Sequence, residues 1–454
     1  MAVKKRIRIG FIAFLFLWFS ATFPRCFSAV NQFQTVKKPS NFESSTVFPV
    51  QGNVYPLGYY SVSLKIGRPP KLFDLDIDSG SDLTWVQCDA PCTGCTRPRE
   101  GLYKPNNNLL HCVDPFCNAI ETLANHPCDT PNDQCDYEVE YADHGSSLGV
   151  VVKDYFPLKF TNGSLLVPHL AFGCGYDQKY DGAHAPPSTA GVLGLGNGKA
   201  SIVTQLSKLG LIRNVAGHCL SGKGGYIFFG DEVVPSTGIT WTPMSRNPNE
   251  KHYSSGPAEL HFNGKPIGVN GLEIVFDSGS SYTYFSSKAY EAVVNQLKRD
   301  LNGKPLKDAT DDRSLPVCWK GAKPFKSVND VKNYFKPFAL SFNAKKAQLQ
   351  LPPEAYLIVT KRGNVCLGVL NGGEVGLGSL NIIGDISLLD KMVIYDNEKQ
   401  QIGWVPENCD RLPNVDREFL NGFCQPFAQG NLHMMAAYCP ANMLHKESSK
   451  DRYQ

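Results

Sequence analysis

The chain of 454 residues lacks several features that mark particular protein classes. Its formal net charge is only +3 and no long basic run follows the N-terminus, so nucleic acid is not an expected partner. It has no H-E-x-x-H sequence, which argues against a zinc protease of that kind. Long amphipathic helical patterns are rare, whereas 41 glycines and 31 prolines predict many turns. These absences favour a β-rich globular protein.

Apolar runs long enough to cross a membrane are also lacking. The longest, residues 11–19, follows a basic cluster and falls short of the roughly 20 residues that a spanning helix needs. Together with the small residues after it, this pattern predicts a cleaved signal peptide over residues 1–29. The polar C-terminus predicts no lipid-anchor tail. We expect a secretory-pathway protein, extracellular or vacuolar, without a stable membrane anchor and glycosylated at the sequon that begins at Asn162.

Cysteine, by contrast, is plentiful. Of 15 residues, Cys26 falls in the predicted signal peptide, and the remaining 14 favour disulfides in an oxidising compartment. Half of these lie in residues 88–135, a segment too poor in apolar residues to form its own core. Cys92-x-x-Cys95 could be half of a zinc site, but we favour disulfides and expect no metal.

The most informative feature is the tetrapeptide Asp-Ser-Gly-Ser, which occurs twice and begins at Asp78 and Asp277. Each copy follows a strand-like run and precedes a threonine and an aromatic residue. Roughly a hundred residues after each copy, an apolar pair ends in Gly194 or Gly384. Glycine there would let a neighbouring backbone approach the aspartate loop. The repeat predicts two similar strand-turn units, each presenting one carboxylate.

Two carboxylates a few ångströms apart share one proton over a range of acid pH. The ionised one can take a proton from a water between them, and the protonated one can donate to a substrate carbonyl. We therefore predict that Asp78 and Asp277 are catalytic, with no metal or cofactor. The neighbouring motif residues would support them by permitting the turn or supplying hydroxyls: Gly80, Gly279, Ser81 and Ser280.

Other interpretations are weaker. A single Asp-Ser-Gly is usually only a turn. Gly145-x-Ser147-x-Gly149 matches a serine-hydrolase motif, but a strand-like run follows where that motif needs a helix. Asp74-x-Asp76-x-Asp78 has its glycine one place late for a calcium loop, so we expect Asp74 and Asp76 on an exposed strand face.

Over about residues 55–410 the chain resembles the pepsin-like aspartic proteases, and within them the plant nucellin-like and nepenthesin-like group. The markers are residues 78–85, 191–196, 277–280 and 381–385 and the strand-like pair 393–396 and 402–404. The resemblance implies an all-β, bilobal fold with pseudo-twofold related lobes and few helices. It also implies that Tyr141 is the flap tyrosine and that Trp85 hydrogen-bonds it, both at the substrate-binding cleft.

The same resemblance divides the chain. We expect a linker or short propeptide at 30–54, an N-terminal lobe at 55–238, a C-terminal lobe at 239–410 and an extension at 411–454. The first lobe would hold the Cys-rich insert 88–135 and a flap hairpin at 137–152. The resemblance implies these disulfide pairs: Cys88–Cys92, Cys95–Cys174, Cys112–Cys135, Cys117–Cys128, Cys318–Cys366 and, less directly, Cys219–Cys409, with Cys424 and Cys439 left for each other.

The function that follows is an aspartic endopeptidase that cleaves peptides or proteins at acid pH, as a monomer. The alternative is a catalytically silent pepsin-fold protein that binds or inhibits another protein.

Overall fold

A computed structural model describes residues 44–120, 128–180, 188–245, 247, 250–342 and 347–413. The predicted signal peptide, Cys424, Cys439 and nearly all of the C-terminal extension lie outside these residues. Within them, no helix has the length and apolar character needed to cross a bilayer.

Strands dominate the described chain. The first half contains β1 (Thr46–Asn53), β2 (Tyr59–Ile66), β3 (Lys71–Asp78), β4 (Trp85–Gln87), β5 (Asp136–Glu140), β6 (Ser146–Tyr155), β7 (Leu158–Lys159), β8 (Leu165–Leu166), β9 (His169–Lys179), β10 (Gly191–Gly194), β11 (Val215–Ser221), β12 (Gly224–Phe229) and β13 (Thr240–Pro243). The second half contains β14 (Tyr253–Phe262), β15 (Lys265–Phe276), β16 (Thr283–Phe285), β17 (Lys307–Asp308), β18 (Cys318–Lys320), β19 (Phe338–Phe342), β20 (Ala347–Leu351), β21 (Leu357–Val359), β22 (Val365–Leu367), β23 (Val369–Asn371), β24 (Asn381–Ile383), β25 (Lys391–Asp396) and β26 (Gln401–Pro406).

Three α-helices are found in the described residues: α1 (Ile202–Lys208), α2 (Ser287–Leu301) and α3 (Asp385–Leu388). In α2 every fourth residue is buried, at Ala289, Val293 and Leu297, so one face of the helix packs on the apolar core of the second half.

The sheets explain why the fold is bilobal. A 13-stranded sheet has the order β13-β26-β25-β11-β12-β1-β2-β3-β10-β4-β9-β6-β5, so strands of the second half join it through β25. A seven-stranded sheet, β20-β19-β14-β15-β24-β16-β23, belongs wholly to the second half. Two large apolar clusters form the cores, one built mainly from first-half residues and the other from second-half residues. The expected all-β, bilobal pepsin-like fold is confirmed.

The internal repeat is visible as strand pairing. In the first half β10 runs parallel to β3, with Gly194 opposite Asp78. In the second half β24 runs parallel to β15, with Ile383 opposite Phe276. The two downstream glycines lie against the backbone after each motif, because a Cβ atom on Gly194 would stand 2.6 Å from Asp82 C and one on Gly384 2.1 Å from Tyr282 O. Each half thus supports its aspartate loop in the same way.

Two expectations about the chain's organisation need correction. The strand Thr46–Asn53 begins inside the segment 30–54, which we expected to be a linker or propeptide, and it pairs with both β2 and β12. Residues 46–53 are therefore part of the central sheet. The partner strand β12 lies far along the chain, so the local sequence gives little sign of this pairing.

The disulfides of the Cys-rich insert also differ from the expected pairs. The structure joins Cys88–Cys174, Cys92–Cys95, Cys112–Cys128 and Cys117–Cys135, so all four pairs that we expected among these residues were wrong. The Cys92–Cys95 disulfide argues against the alternative that these cysteines are half of a zinc site, because neither sulfur is a free thiolate. Outside the insert the structure agrees with expectation and pairs Cys219–Cys409 and Cys318–Cys366.

Candidate active site

The two motif aspartates meet where the halves of the molecule come together. Asp78 ends β3, and Asp277 follows β15 directly. Each turn glycine lies against the carboxyl of the other half. A Cβ atom on Gly80 would stand 2.8 Å from Asp277 Oδ1, and one on Gly279 would stand 2.6 Å from Asp78 Oδ1. The same Cβ position on Gly279 lies 3.2 Å from Asp277 Oδ1, so the two carboxyls approach one point from opposite halves. Only glycine leaves room for this approach.

A reciprocal set of serine hydrogen bonds holds the two loops together. Ser79 N–H donates to Ser278 Oγ at 3.1 Å, and Ser278 N–H donates to Ser79 Oγ at 2.9 Å. Each hydroxyl then donates across the interface, Ser79 to Phe276 O at 3.0 Å and Ser278 to Ile77 O at 3.3 Å. Both serines are buried, so every bond is shielded from water. This network fixes the separation of the carboxyls.

The two carboxyls receive unequal numbers of donors from their own loops. Asp78 accepts Gly80 N–H at 2.8 Å on Oδ1 and the Ser81 hydroxyl on Oδ2. Asp277 accepts Gly279 N–H at 2.8 Å, but the Ser280 hydroxyl donates to Tyr282 O at 3.0 Å instead. Hydrogen-bond donors stabilise the charged form of a carboxyl group, so the two loops support their carboxyls differently. Burial, and then the charge of Asp78, raise the pKa of Asp277 well above its usual value.

The predicted flap is a hairpin of β5 and β6, closed by a Tyr141 N–H bond to Gly145 O at 2.8 Å. Trp85 Nε1 donates to the Tyr141 hydroxyl at 2.6 Å. Burial, and then the charge of Asp78, raise the pKa of Tyr141 well above its usual value. The structure thus brings both predicted cleft aromatics to Asp78. Ser147, from the rejected serine-hydrolase motif, instead bonds the Tyr137 hydroxyl at 2.9 Å inside the hairpin.

Two further carboxyls lie near the pair, and neither was predicted as a site residue. Asp385 begins α3, is 1% exposed, and its Oδ1 has no hydrogen-bond partner among the described residues. Burial raises its pKa well above the usual value, followed by the charges of Asp277 and Asp78. The signal was available, since Asp385 directly follows the second downstream glycine, where the first half has Leu195.

Asp76 corrects our expectation of an exposed strand face. Its Oδ2 accepts the Thr189 hydroxyl at 2.8 Å, while its Oδ1 is shielded from solvent and has no hydrogen-bond partner in the part of the chain that the structure describes. Burial raises its pKa to about 7, and the charge of Asp78 adds to the effect. Asp74, by contrast, is partly exposed and pairs with Arg97 at 3.3 Å.

The sequon residue Asn162 lies in an exposed turn, where its Oδ1 accepts Ser164 N–H at 3.0 Å.

Comparison with known proteins agrees with this geometry. Two family models match, described as xylanase inhibitor N-terminal over residues 60–231 and xylanase inhibitor C-terminal over residues 257–406. An aspartic proteinase of Oryza sativa subsp. japonica is 44% identical over 387 residues, which cover 82% of this chain and 93% of that protein. Aspartic proteinase nepenthesin-2 of Nepenthes gracilis is 25% identical over 372 residues, or 78% of each.

Solved structures share the fold at low identity. The structure of edgp has a TM-score of 0.64 at 18% identity and covers 81% of this chain and 96% of its own. The aspartic proteinase from Irpex lacteus has a TM-score of 0.56 at 16% identity and covers 80% and 98%. With the similarity to the rice proteinase, the evidence of motif, fold and sequence converges: the chain belongs to the plant pepsin-like aspartic protease family.

Proposed function

We propose that the protein is an endopeptidase that hydrolyses peptide bonds at acid pH with a water held between Asp78 and Asp277. The observation that carries the proposal is the close approach of these two carboxyls, only one of which accepts a serine hydroxyl from its own loop. Asp78 accepts the Ser81 hydroxyl, and we assign it the ionised role. Burial raises the pKa of Asp277, and we assign it the protonated role.

The reaction follows from these roles. Asp78 takes a proton from the water while the water oxygen attacks the peptide carbonyl carbon. Asp277 gives its proton to the carbonyl oxygen. A tetrahedral diol results, with no covalent bond to the protein. The proton on Asp78 then passes to the amide nitrogen, the C–N bond breaks, and one diol hydroxyl returns a proton to Asp277. The pair ends as it began, and acid pH is needed to keep its one proton.

Tyr141 would close the hairpin over the bound peptide. We expect Tyr141→Phe to lower kcat/KM about tenfold, because the Trp85 N–H would lose its acceptor, at a cost of about 1–3 kcal/mol. Peptide cleavage assays would measure this. Tyr137→Phe is the matched control, since it removes another hydroxyl of the same hairpin, bonded to Ser147. It should lower stability without a comparable loss of activity, and equal losses in both variants would assign Tyr141 a structural role only.

The proposal itself is tested by incubating the full secreted chain with a peptide library at pH 4 and at pH 7 and identifying products by mass spectrometry. We expect internal cleavage at pH 4, little at pH 7, and inhibition by a peptide with a non-cleavable hydroxyl in place of the scissile carbonyl. Such an analogue imitates the diol and should bind the pair tightly. A folded chain that cleaves nothing in the library at pH 4 would contradict the proposal.

A second candidate function is a silent binding or inhibitor protein, favoured by the description of the matching family models as xylanase inhibitor. Binding of the chain to a xylanase, together with absence of cleavage at acid pH, would favour it. The intact pair and its donors favour catalysis instead.

We also infer that the protein acts as a monomer in an acidic, oxidising compartment, extracellular or vacuolar. Six disulfides among the described residues support the oxidising environment. N-terminal sequencing of the protein recovered from the medium and the vacuole of plant cells would test both the compartment and the predicted cleavage of residues 1–29.

A further inference from the structure

A second concave site lies away from the carboxyl pair, at the opposite end of β3. The cavity has a volume of about 570 Å³ and is bounded by the β2–β3 turn, residues 102–108 of the Cys-rich insert, and the adjoining parts of β6 and β9. Lys71 begins β3 and Asp78 ends it. A strand rises about 3.3 Å per residue, so Asp78 lies roughly 23 Å from this site. The cavity is therefore separate from the catalytic centre.

The charge around the cavity is strongly biased. Its described lining includes four Lys and Arg side chains but a single carboxylate, whereas the whole chain has 45 basic and 42 acidic residues. The four cationic residues are Arg68, Lys71, Lys104 and Lys153. Beneath them Ile66, Phe73, Leu102 and Tyr103 form a buried apolar floor. A cavity of this size with an apolar floor and convergent charges is typical of a small-molecule site.

The one carboxylate in the lining of the cavity is engaged in hydrogen bonds within the protein. Asp154 accepts the Tyr103 hydroxyl at 2.7 Å on one oxygen and Tyr155 N–H at 2.8 Å on the other. Among the described residues, Arg68, Lys71 and Lys153 form no ion pair, and Lys104 reaches Asp89 only at 3.8 Å. The charges of Glu100 and Asp89 act on Lys71 and compensate part of the positive charge. Arg68 and Lys153 are left without an ion-pair partner among the described residues.

Two of the cations are held in place before any ligand arrives. The Arg68 guanidinium lies 4.8 Å from the centre of the Tyr155 ring, which stacks on His169 at 4.8 Å. Lys71 Nζ donates to Leu102 O at 3.0 Å and to Glu100 O. Burial, and then repulsion from Lys104, lower the pKa of Lys71. Burial and mutual repulsion make this arrangement of cations unfavourable, and an anion bound between the cations would offset the repulsion.

The Cys-rich insert builds one wall of this site. Tyr103 N–H donates to Gln87 O at 2.9 Å, and Asp89 N–H donates to Tyr103 O at 2.8 Å. The disulfide Cys88–Cys174 fixes that same stretch to β9. The insert is thereby rigid where it faces the cavity, which gives it a role besides covering the sheet.

We propose that this cavity binds a compact multivalent oxyanion, such as a tricarboxylate or a phosphate ester. A compact anion fits better than an extended polymer, because the cations converge from three chain segments on one concavity. Both faces of Tyr155 are occupied, by Arg68 and by His169, so the ring offers no platform for a sugar. The site does not depend on the proposed catalysis, and either could exist without the other.

Isothermal titration calorimetry of the full secreted chain at pH 7 and constant ionic strength tests the proposal with citrate, inorganic phosphate and glucose as probes. We expect citrate to bind more tightly than phosphate and glucose not to bind. Arg68→Ala with Lys104→Ala, both exposed, should weaken citrate binding at least tenfold while leaving Tm and peptide cleavage unchanged.

The matched control is Lys208→Ala with Lys265→Ala, which removes two exposed charges outside the cavity and leaves the same net charge. Citrate affinity in this control should stay within about twofold of the wild type. Three outcomes would overturn the proposal: no citrate binding to the wild type, equal weakening in both double variants, or tighter binding of a polyglutamate peptide than of citrate.

Discussion

Replacing Asp78 or Asp277 by asparagine is expected to lower kcat/KM for a peptide substrate by about 100- to 10,000-fold, the range that general acid–base catalysis contributes. Asparagine keeps the size of the side chain and its oxygen can still accept Gly80 or Gly279 N–H. An amide can neither take the proton of the attacking water nor give one to the substrate carbonyl. The loss should therefore fall on kcat rather than on KM.

The matched control is Asp74→Asn on the same face of β3. Asp74 is partly exposed and its carboxyl contacts Arg97 and Ser63, both away from the catalytic pair, so activity should stay within about threefold of the wild type. Thermal unfolding should show that the variants fold. The Asp277→Asn protein should be at least as stable as the wild type, because the charged form of this buried carboxyl is disfavoured by Asp78. Asp78→Asn with activity within tenfold of the wild type would refute the catalytic assignment.

How much of the site was predictable depends on whether its determinants are local or distant in sequence. The catalytic pair could be predicted because the motif is repeated with its flanks, and symmetry then brings the copies together. Asp385 could have been found from its position directly after the second downstream glycine, but Asp76 could not, because what matters is the packing around it. Alternation along β3 puts Asp74, Asp76 and Asp78 on one face, but only long-range contacts, such as Thr189 to Asp76, decide which of them is sealed.

The disulfides show the same limit. Cys88 lies next to Cys174 because β4 runs parallel to β9 with Val86 opposite Cys174, a register that no local pattern reveals. The sequence shows which cysteines are available to form disulfides in an oxidising compartment. The strand register determines which of them pair. Likewise β1 contains Pro49, which weakens its strand pattern, and it is stabilised by β12, with Thr46 opposite Phe229.

The sealed carboxyl of Asp76 makes the second large prediction, which concerns stability rather than activity. Its pKa is about 7 in the folded chain against 3.8 for an ordinary aspartate. The folded state therefore holds this proton more tightly than the unfolded state. The resulting contribution to the free energy of unfolding is complete below pH 3.8 and is lost as the pH rises through 7. At about 1.4 kcal/mol for each pH unit, the loss amounts to about 4 kcal/mol.

The wild-type profile alone would not reveal this contribution. Burial lowers the pKa of His218 to about 3, so the folded chain keeps this imidazole neutral and loses stability as the pH falls below 6.5. The two groups thus act in opposite directions over much of the same pH range. The difference between wild type and Asp76→Asn cancels the contribution of His218, which both proteins share.

We therefore expect Asp76→Asn to unfold at nearly the same urea concentration as the wild type at pH 4 and to be the more stable protein at pH 8, by up to about 4 kcal/mol. Urea unfolding followed by tryptophan fluorescence at pH 4, 6 and 8, with disulfides intact, measures the difference. Asparagine can still accept the Thr189 hydroxyl, so the variant removes the charge and little else. Asp74→Asn should show no such pH-dependent gain, because Asp74 is partly exposed and paired with Arg97. A difference between wild type and Asp76→Asn that stays flat from pH 4 to pH 8 would mean that Asp76 is solvated or compensated in the folded chain.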